Sequence, residues 1–483
     1  MQLPADIPFL FKVSRFLKSG RLSFLVIAIS RARVNLSVAF VVRSLTLAAL
    51  WGTIFLIPLR LRFFAFARPR APIYPDFTDF ILFASDIVMI LTLVLWVLSL
   101  ALKPRTIRMG PLFLTLPITG ILLFSLISTL FSIDGSLSLY HLIRMLLLFG
   151  FYLFLLNEID DLKLVLFPVG AQIFIQSVTA VLQVLGQQSI GLSFLGELDL
   201  DPSWSGVSIV WAEGIRSLRA YGLTDHPNIL GGCLSFGLIL IAYGYLTTAA
   251  WRRTLLTALF SLGVLGLFYT FSRAAWLSAA LGLTLLGVWQ LRKGRIRQLA
   301  SYLGLVAASL IALAPFFLHN LPYVGVRLNQ QGSFAQNAHE KQAIGERIIL
   351  NRNANNIFLA EPFTGVGLGA FPIALQAHRP DYPYNFQPAH IVLLDVAAET
   401  GFFGALFYLL VIFSPWVAIW LNRDRLTFNA ALIAASSLLL ATTVVGFFDY
   451  YTWLLNAGRL WQWLAWGLWA AIYSSSLRQE SHA

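Results

Sequence analysis

Twelve apolar stretches, each long enough to cross a bilayer, restrict what this chain can fold into. A spanning helix needs roughly 20 mostly apolar residues. Lipid offers no hydrogen-bond partner to backbone groups, so every crossing segment is expected to be helical. The predicted spans are residues 37–58, 80–102, 111–132, 138–156, 164–185, 228–248, 254–271, 274–291, 299–318, 391–420, 428–447 and 454–474. The sequence therefore predicts an all-α, polytopic transmembrane helix bundle of about 12 spans.

The composition excludes a soluble protein. Hydrophobic residues make up 58% of the 483 residues and charged residues only 12%, about half the charged fraction of soluble domains.

Lys and Arg outnumber Asp and Glu by 34 to 22. No nucleic-acid-binding module or basic surface with interleaved aromatic residues is present, so we expect no nucleic-acid partner. Cys233 is the only cysteine, which excludes an internal disulfide and a cysteine-based metal site.

Basic residues in short loops predict the orientation. They are Lys103, Arg105 and Arg108 after the second span, Arg252 and Arg253 before the seventh, Arg292, Lys293, Arg295 and Arg297 after the eighth, and Arg423 and Arg425 after the tenth. All fall on one side, which the positive-inside rule makes the cytoplasmic side, with both termini there. Four further arginines conflict with this rule, because they fall on the opposite side: Arg60, Arg62, Arg68 and Arg70.

These spans divide the chain into five predicted segments. They are a cytoplasmic basic N-terminal segment (1–36), a bundle of about nine spans (37–318) with an outer loop at 186–227, a long extracytoplasmic loop (319–390), C-terminal spans (391–474) and a cytoplasmic tail (475–483). The N-terminal segment is expected to precede an uncleaved anchor. Within the long loop, residues 340–360 predict an amphipathic helix on the membrane surface, and Pro362 ends it.

Three arginines are predicted to lie at the outer face: Arg219, Arg273 and Arg347. An arginine near hydrocarbon is costly, so it tends to persist where an anion needs several donors. The guanidinium fork suits a diphosphate particularly well. The alternative is that each arginine extends to lipid headgroups without a catalytic role.

Three further side chains are candidates for chemistry. His390 lies where the long loop meets the tenth span, and a histidine there can act as a general base. Glu399 lies within an apolar helix, where ionisable groups are usually functional or paired. Asp449, in the last outer turn, could pair with an arginine, contact a sugar hydroxyl or be a plain turn residue. No zinc-binding spacing, phosphate-binding loop or dinucleotide fingerprint occurs, so we expect no metal, no cofactor and a donor that arrives within the membrane.

Four stretches together resemble the O-antigen ligase and O-antigen polymerase superfamily of bacterial envelope enzymes. They are Arg219–Gly232, with its Arg-x-x-Gly and Pro-Asn; Phe271–Ala274, with its Ser-Arg turn; Arg347–Phe371, with Pro362 and the glycines Gly365, Gly367 and Gly369; and His390–Gly404, with Glu399 and Gly401. The ordered set covers about residues 190–410. The chain departs from the family at Ile391, where asparagine is common, and at Asn351, where an aromatic residue is common.

The resemblance implies a C-type membrane glycosyltransferase of the inner (cytoplasmic) membrane. The implied donor is a glycan on undecaprenyl diphosphate, and the implied reaction is its metal-independent transfer to a glycan, lipid or protein acceptor. The resemblance also implies that Arg219, Arg273 and Arg347 bind the diphosphate and that His390 is the base. Glu399, Asp449 and the three glycines would support this site. A secondary transporter is the main alternative, although transporters favour inverted repeats and midplane sites; a non-catalytic scaffold is a third. Ligase, polymerase and protein O-glycosyltransferase share these motifs.

Overall fold

The structure, a computed structural model, describes residues 21–328 and 334–478. Within these ranges, the side chains of residues 21–37, 334–340 and 478 are not described. Most of the predicted N-terminal segment and the end of the predicted tail therefore lie outside the described residues.

Each of the twelve predicted spans is occupied by a helix. In chain order these are α1 (Arg21–Leu56), α2 (Ala84–Leu102), α3 (Leu112–Leu130), α4 (Gly135–Glu158), α5 (Lys163–Gly186), α6 (Pro227–Thr247), α7 (Ala250–Tyr269), α8 (Arg273–Arg292) and α9 (Ile296–His319), and, after three helices of the long loop, α13 (Val392–Leu421), α14 (Ala430–Gly446) and α15 (Asn456–Arg478). The loop helices are α10 (Leu321–Arg327), α11 (Phe334–Ala360) and α12 (Phe371–His378).

Nine of these helices are long and apolar enough to cross a membrane, counted over the described residues. The other three are α7, which begins with a basic first turn, α14, which is shorter, and α15, which is more polar. The described residues are mostly helical, which confirms the predicted all-α polytopic class. That all twelve helices cross the membrane remains a prediction.

Helix α6 lies at the centre of the bundle, because 94% of its apolar window is buried against protein, compared with 17% for α9. Glycines let neighbouring helices approach closely in a membrane bundle. Gly232, in the second turn of α6, packs against the ring of Tyr451, and no Cβ would fit there. This contact brings the turn between α14 and α15 to the start of α6.

Two short β-hairpins lie in the loops, and the sequence analysis did not predict them. Strands β1 (Arg62–Phe66) and β2 (Phe80–Phe83) pair between α1 and α2, and strands β3 (Ile209–Ala212) and β4 (Ile215–Leu218) pair between α5 and α6. The first hairpin holds the arginines that conflict with the positive-inside rule. Three of them have carboxylate partners: Arg60 pairs with Asp225, Arg62 with Asp76, and Arg68 with Asp134. Three of the four arginines on this side therefore form ion pairs within the fold.

The glycine run after Pro362 packs against protein backbone. Gly365, Gly367 and Gly369 all have positive φ, and the N–H of Gly367 donates to the carbonyl of Glu399 (3.1 Å). Helix α13 is interrupted at the same level by Gly401, whose φ is 72°. Only glycine adopts such angles without strain. The glycines therefore allow this run to pack closely against α13 and α4.

We expect the long loop to face away from the cytoplasm. In a Cys233→Ser background, cysteine at Asp381 should react with a membrane-impermeant maleimide in intact cells, after outer-membrane permeabilisation if required. Cysteine at Arg295, beyond the other end of the bundle, should react only after lysis. Both positions are exposed, so accessibility within the protein does not limit either reaction. Labelling of Arg295→Cys with protection of Asp381→Cys would invert the topology.

Candidate functional site

A cavity with two lobes opens at the loop end of the bundle. The larger lobe has a volume of about 370 Å³ and the smaller about 220 Å³. The lobes share five lining residues: His226, Ala343, Glu346, Arg347 and Gln387. The two lobes therefore adjoin each other along these shared residues.

Four arginines line the larger lobe, which we call the arginine lobe: Arg219, Arg273, Arg327 and Arg347. They come from four separate segments, namely the end of β4, the start of α8, the end of α10 and the middle of α11. The structure thus brings the three predicted arginines together and adds Arg327. Among the described residues that line this lobe, Glu346 is the only carboxylate, so these residues give a strongly cationic lining that suits a multiply charged anion.

Backbone carbonyls orient these guanidinium groups. Arg219 donates from Nε to the Thr270 carbonyl (2.8 Å), and Arg327 donates from Nε to the Phe271 carbonyl (3.0 Å). Arg273 in turn donates from Nη1 to the Arg327 carbonyl (3.1 Å). Arg219 and Arg327 are therefore held by carbonyls of the tight turn between α7 and α8, and Arg273, which follows this turn, is held by Arg327.

His390 lies in the smaller lobe, which we call the histidine lobe. Its Nδ1 is 3.7 Å from Asp449 Oδ1, and its backbone N–H donates to Asn351 Oδ1 (3.0 Å). Asn351 is one helical turn after Arg347, so α11 both lines the arginine lobe and holds the histidine. Asn351, the residue that stands where the family commonly has an aromatic one, thus holds the backbone of His390.

A hydrogen-bonded chain connects the two lobes. Arg219 donates from Nη2 to Asn228 Oδ1 (2.7 Å), and Asn228 donates from Nδ2 to Asp449 Oδ2 (2.7 Å). The backbone N–H of Tyr450 donates to the other oxygen of Asp449 (3.0 Å). These contacts fix the Asp449 side chain so that it faces His390, an arrangement that can orient an imidazole and stabilise it when it takes up a proton.

Burial lowers the pKa of His390 to about 4, against the opposing effect of the Asp449 carboxylate; Arg347 lowers it further. The imidazole is therefore neutral at pH 7 and able to accept a proton. Burial likewise lowers the pKa of His226 well below its usual value, and Arg219 adds to this effect. Both ring nitrogens of His226 are engaged, however, with Ser208 Oγ (2.9 Å) and the N–H of Asn228 (3.1 Å). His226 is thus a helix cap, and His390 is the better placed base.

The remaining predicted residues lie outside the lining of this cavity. Glu399 is buried in α13, where its Oε2 accepts from Trp453 Nε1 (2.8 Å). Trp453 follows the short 3₁₀ turn Tyr450–Thr452, so Glu399 steadies the segment that holds Asp449. The three glycines contact α13 and α4.

Sequence reasoning missed Arg327 and the partner roles of Asn228 and Asn351. Arg327 belongs to no motif; its only signal was an arginine shortly after a span on the arginine-rich face. Asn228 stood in a recognised stretch, but its partners are far away along the chain. Over the described residues, no group of three or more His, Cys, Asp or Glu side chains could hold a metal ion.

The fold and the cavity define a multi-pass membrane protein with a cationic site beside a neutral histidine at one end of its bundle. Residues 256–409 match a family model described as O-antigen ligase. This match supports the O-antigen ligase and polymerase superfamily and confirms the resemblance. It supports a membrane glycan-transferring role in polysaccharide assembly. The matched region includes Arg273, Arg327, Arg347 and His390. A search of curated proteins finds no match.

Proposed function

We propose that this protein transfers a glycan from an undecaprenyl-diphosphate-type carrier to an acceptor hydroxyl at the outer face of the cytoplasmic membrane. The observation that carries the proposal is the pair of adjoining lobes, in which four arginines line one lobe and His390 faces Asp449 in the other. The cationic lobe suits the leaving diphosphate, and the neutral imidazole suits a hydroxyl that must lose its proton.

The reaction needs one bond to form and one to break. The acceptor oxygen attacks the anomeric carbon of the donor sugar, and the bond from that carbon to the diphosphate oxygen breaks. The diphosphate leaves with the electron pair, and the acceptor proton passes to His390. Asp449 stabilises the imidazolium that results. Because guanidinium groups compensate the growing phosphate charge, the arginines can supply the stabilisation that a metal supplies elsewhere.

In this proposal the residues have distinct roles. Arg273, Arg327 and Arg347 bind the diphosphate. Arg219 contributes to the same lobe and, through Asn228, also orients Asp449. Glu399 and the glycine run hold the surrounding backbone, and the fold is a C-type glycosyltransferase-like bundle with both termini in the cytoplasm.

Purified protein in nanodiscs should transfer glycan from a lipid-diphosphate donor to an acceptor in the presence of a chelator. Product is measured by mass spectrometry, and donor without acceptor serves as the control. Transfer that is lost on chelation and restored by a divalent cation would refute the metal-independent step. Solute uptake into proteoliposomes without any transfer would favour the transporter.

The acceptor class is tested in a deletion strain. Accumulation of lipid-linked polymer identifies a ligase, and accumulation of single lipid-linked repeats identifies a polymerase. Unchanged lipid-linked glycans, together with unglycosylated target proteins, identify a protein O-glycosyltransferase.

A further inference from the structure

A separate cavity of about 450 Å³ lies beside the first hairpin. Its lining residues are Phe66, Ala67, Arg68, Pro69, Arg70, Thr78, Asp134 and Ile373. None of them lines the arginine lobe or the histidine lobe. We propose that this hairpin cavity is a second anion site, which binds the phosphate or carboxylate group of an amphiphile.

Arg68, in the lining of this cavity, has a buried donor without an acceptor. Its Nη2 donates to Asp134 Oδ2 (2.7 Å), but its Nη1 is buried with no hydrogen-bond partner in the described structure. A buried donor without an acceptor is costly, and such donors are rare in folded proteins. An anionic oxygen in the cavity that Arg68 lines would satisfy this donor.

Arg70, also in the lining of this cavity, is held by an amide and not by a carboxylate. Its Nε donates to Gln376 Oε1 (3.0 Å), and Gln376 Nε2 donates to the Ala71 carbonyl (3.2 Å). Among the four arginines of this segment, Arg70 is the one with no carboxylate partner in the described structure. Two arginines and one aspartate line the cavity, and a second carboxylate, that of Asp79, accepts from the backbone N–H of Arg68 (2.7 Å). Of the two guanidinium groups in the lining, that of Arg70 has no carboxylate to neutralise it and is held by Gln376 of α12.

The adjoining surface is apolar, which identifies the ligand as an amphiphile. Phe63, Phe64 and Phe66 of β1 are 58%, 54% and 62% exposed. Aromatic side chains at the end of a transmembrane bundle are stable when they enter the interfacial region of the bilayer. An anionic headgroup in the cavity would place its apolar chains along Phe66, the ring of this group that lines the cavity.

The hairpin cavity is also adjacent to the histidine lobe. Phe77 precedes the lining residue Thr78, and its ring packs against the ring of Tyr450 with centroids 6.1 Å apart. Tyr450 lines the histidine lobe. An anionic acceptor held by Arg68 and Arg70 would thus approach His390 from the side of this aromatic pair; this arm of the inference rests on the proposed function.

Two sources share this ligand chemistry, an anionic bilayer lipid and an anionic acceptor. The test uses Arg70→Gln, with Arg379→Gln as the matched control, because both side chains are exposed and both belong to the loop face. Protein from nanodiscs that contain phosphatidylglycerol and phosphatidylcholine is examined by native mass spectrometry. In parallel, KM for donor and for acceptor is measured with the purified enzyme.

We expect Arg70→Gln to lower retention of phosphatidylglycerol, or to raise KM for an anionic acceptor, by about ten-fold, the effect of one lost charge-assisted contact. In either case kcat and the donor KM should change less than two-fold (roughly, within the scatter of surface variants). Reduced lipid retention alone identifies a bilayer lipid, and a raised acceptor KM identifies the acceptor. If Arg70→Gln equals Arg379→Gln in both measurements, the cavity is no anion site. The lipid measurement stands even if no glycan transfer is detected, so the two proposals fail separately.

Discussion

Replacement of His390 by alanine is expected to slow glycan transfer about 10²–10⁴-fold, the usual contribution of a general base. Donor binding should remain near the wild-type level, because the four arginines are unchanged. The measurement is single-turnover transfer with purified protein and a separate donor-binding assay. His378→Ala is the matched control, since His378 is an exposed histidine of the same loop. Transfer by His390→Ala within a few-fold of this control would exclude His390 as the base.

The pH dependence of the wild-type enzyme provides a second test of His390 as the base. Only the neutral imidazole accepts a proton, and burial lowers the pKa of His390 to about 4. The base form is therefore present at pH 7 and is lost as the pH falls through about 4. We expect the acid limb of kcat/KM, which reports the free enzyme, to have its midpoint there. In Asp449→Asn the negative charge that raises the His390 pKa is absent, so this limb should move to lower pH.

Lysine in place of Arg273 or Arg347 is expected to lower kcat/KM for the donor about 10²-fold, since a point ammonium cannot reproduce the planar fork of donors that a diphosphate engages. Expression and membrane insertion should be unchanged. The measurement is initial rate against donor concentration in nanodiscs. Arg379→Lys, at an exposed arginine of the same loop paired with Asp381, is the control. Near-normal turnover in both variants would leave these arginines as headgroup anchors.

Arg219→Lys is expected to act differently. Arg219 donates both to the Thr270 carbonyl and to Asn228 Oδ1, and the shorter lysine cannot reproduce this fixed pair of contacts. Because Asn228 in turn holds Asp449, the variant should disturb the histidine lobe as well. A loss of kcat on top of weaker donor binding would distinguish Arg219 from Arg273.

Helix positions could be predicted from the sequence because the signal is local. Every apolar run must satisfy its own backbone hydrogen bonds in lipid, so run length alone located the twelve helices. The same alternation of spans predicts that Arg219, Arg273, Arg347 and His390 lie at one end of the bundle. The ordered motifs predicted the superfamily that the match to residues 256–409 supports.

The hairpins could not be predicted in this way. Strands of four or five residues contain too few positions for an alternating pattern, and the arginines of the first hairpin indicated only a conflict with the positive-inside rule. Their carboxylate partners come from other segments: Asp225 lies 165 positions from Arg60, and Asp134 lies 66 positions from Arg68. Only the folded chain brings these charges together.

The sequence by itself thus determined the helical membrane fold and the face on which the polar residues gather. Tertiary structure alone decided which of them meet. Arg327 enters the arginine lobe because α10 returns to the turn between α7 and α8, and Asp449 faces His390 because Asn228, 221 positions away, holds it. The physical reason is that helix formation depends on neighbours within a few residues, whereas a site depends on how whole helices pack, through contacts that no local pattern encodes.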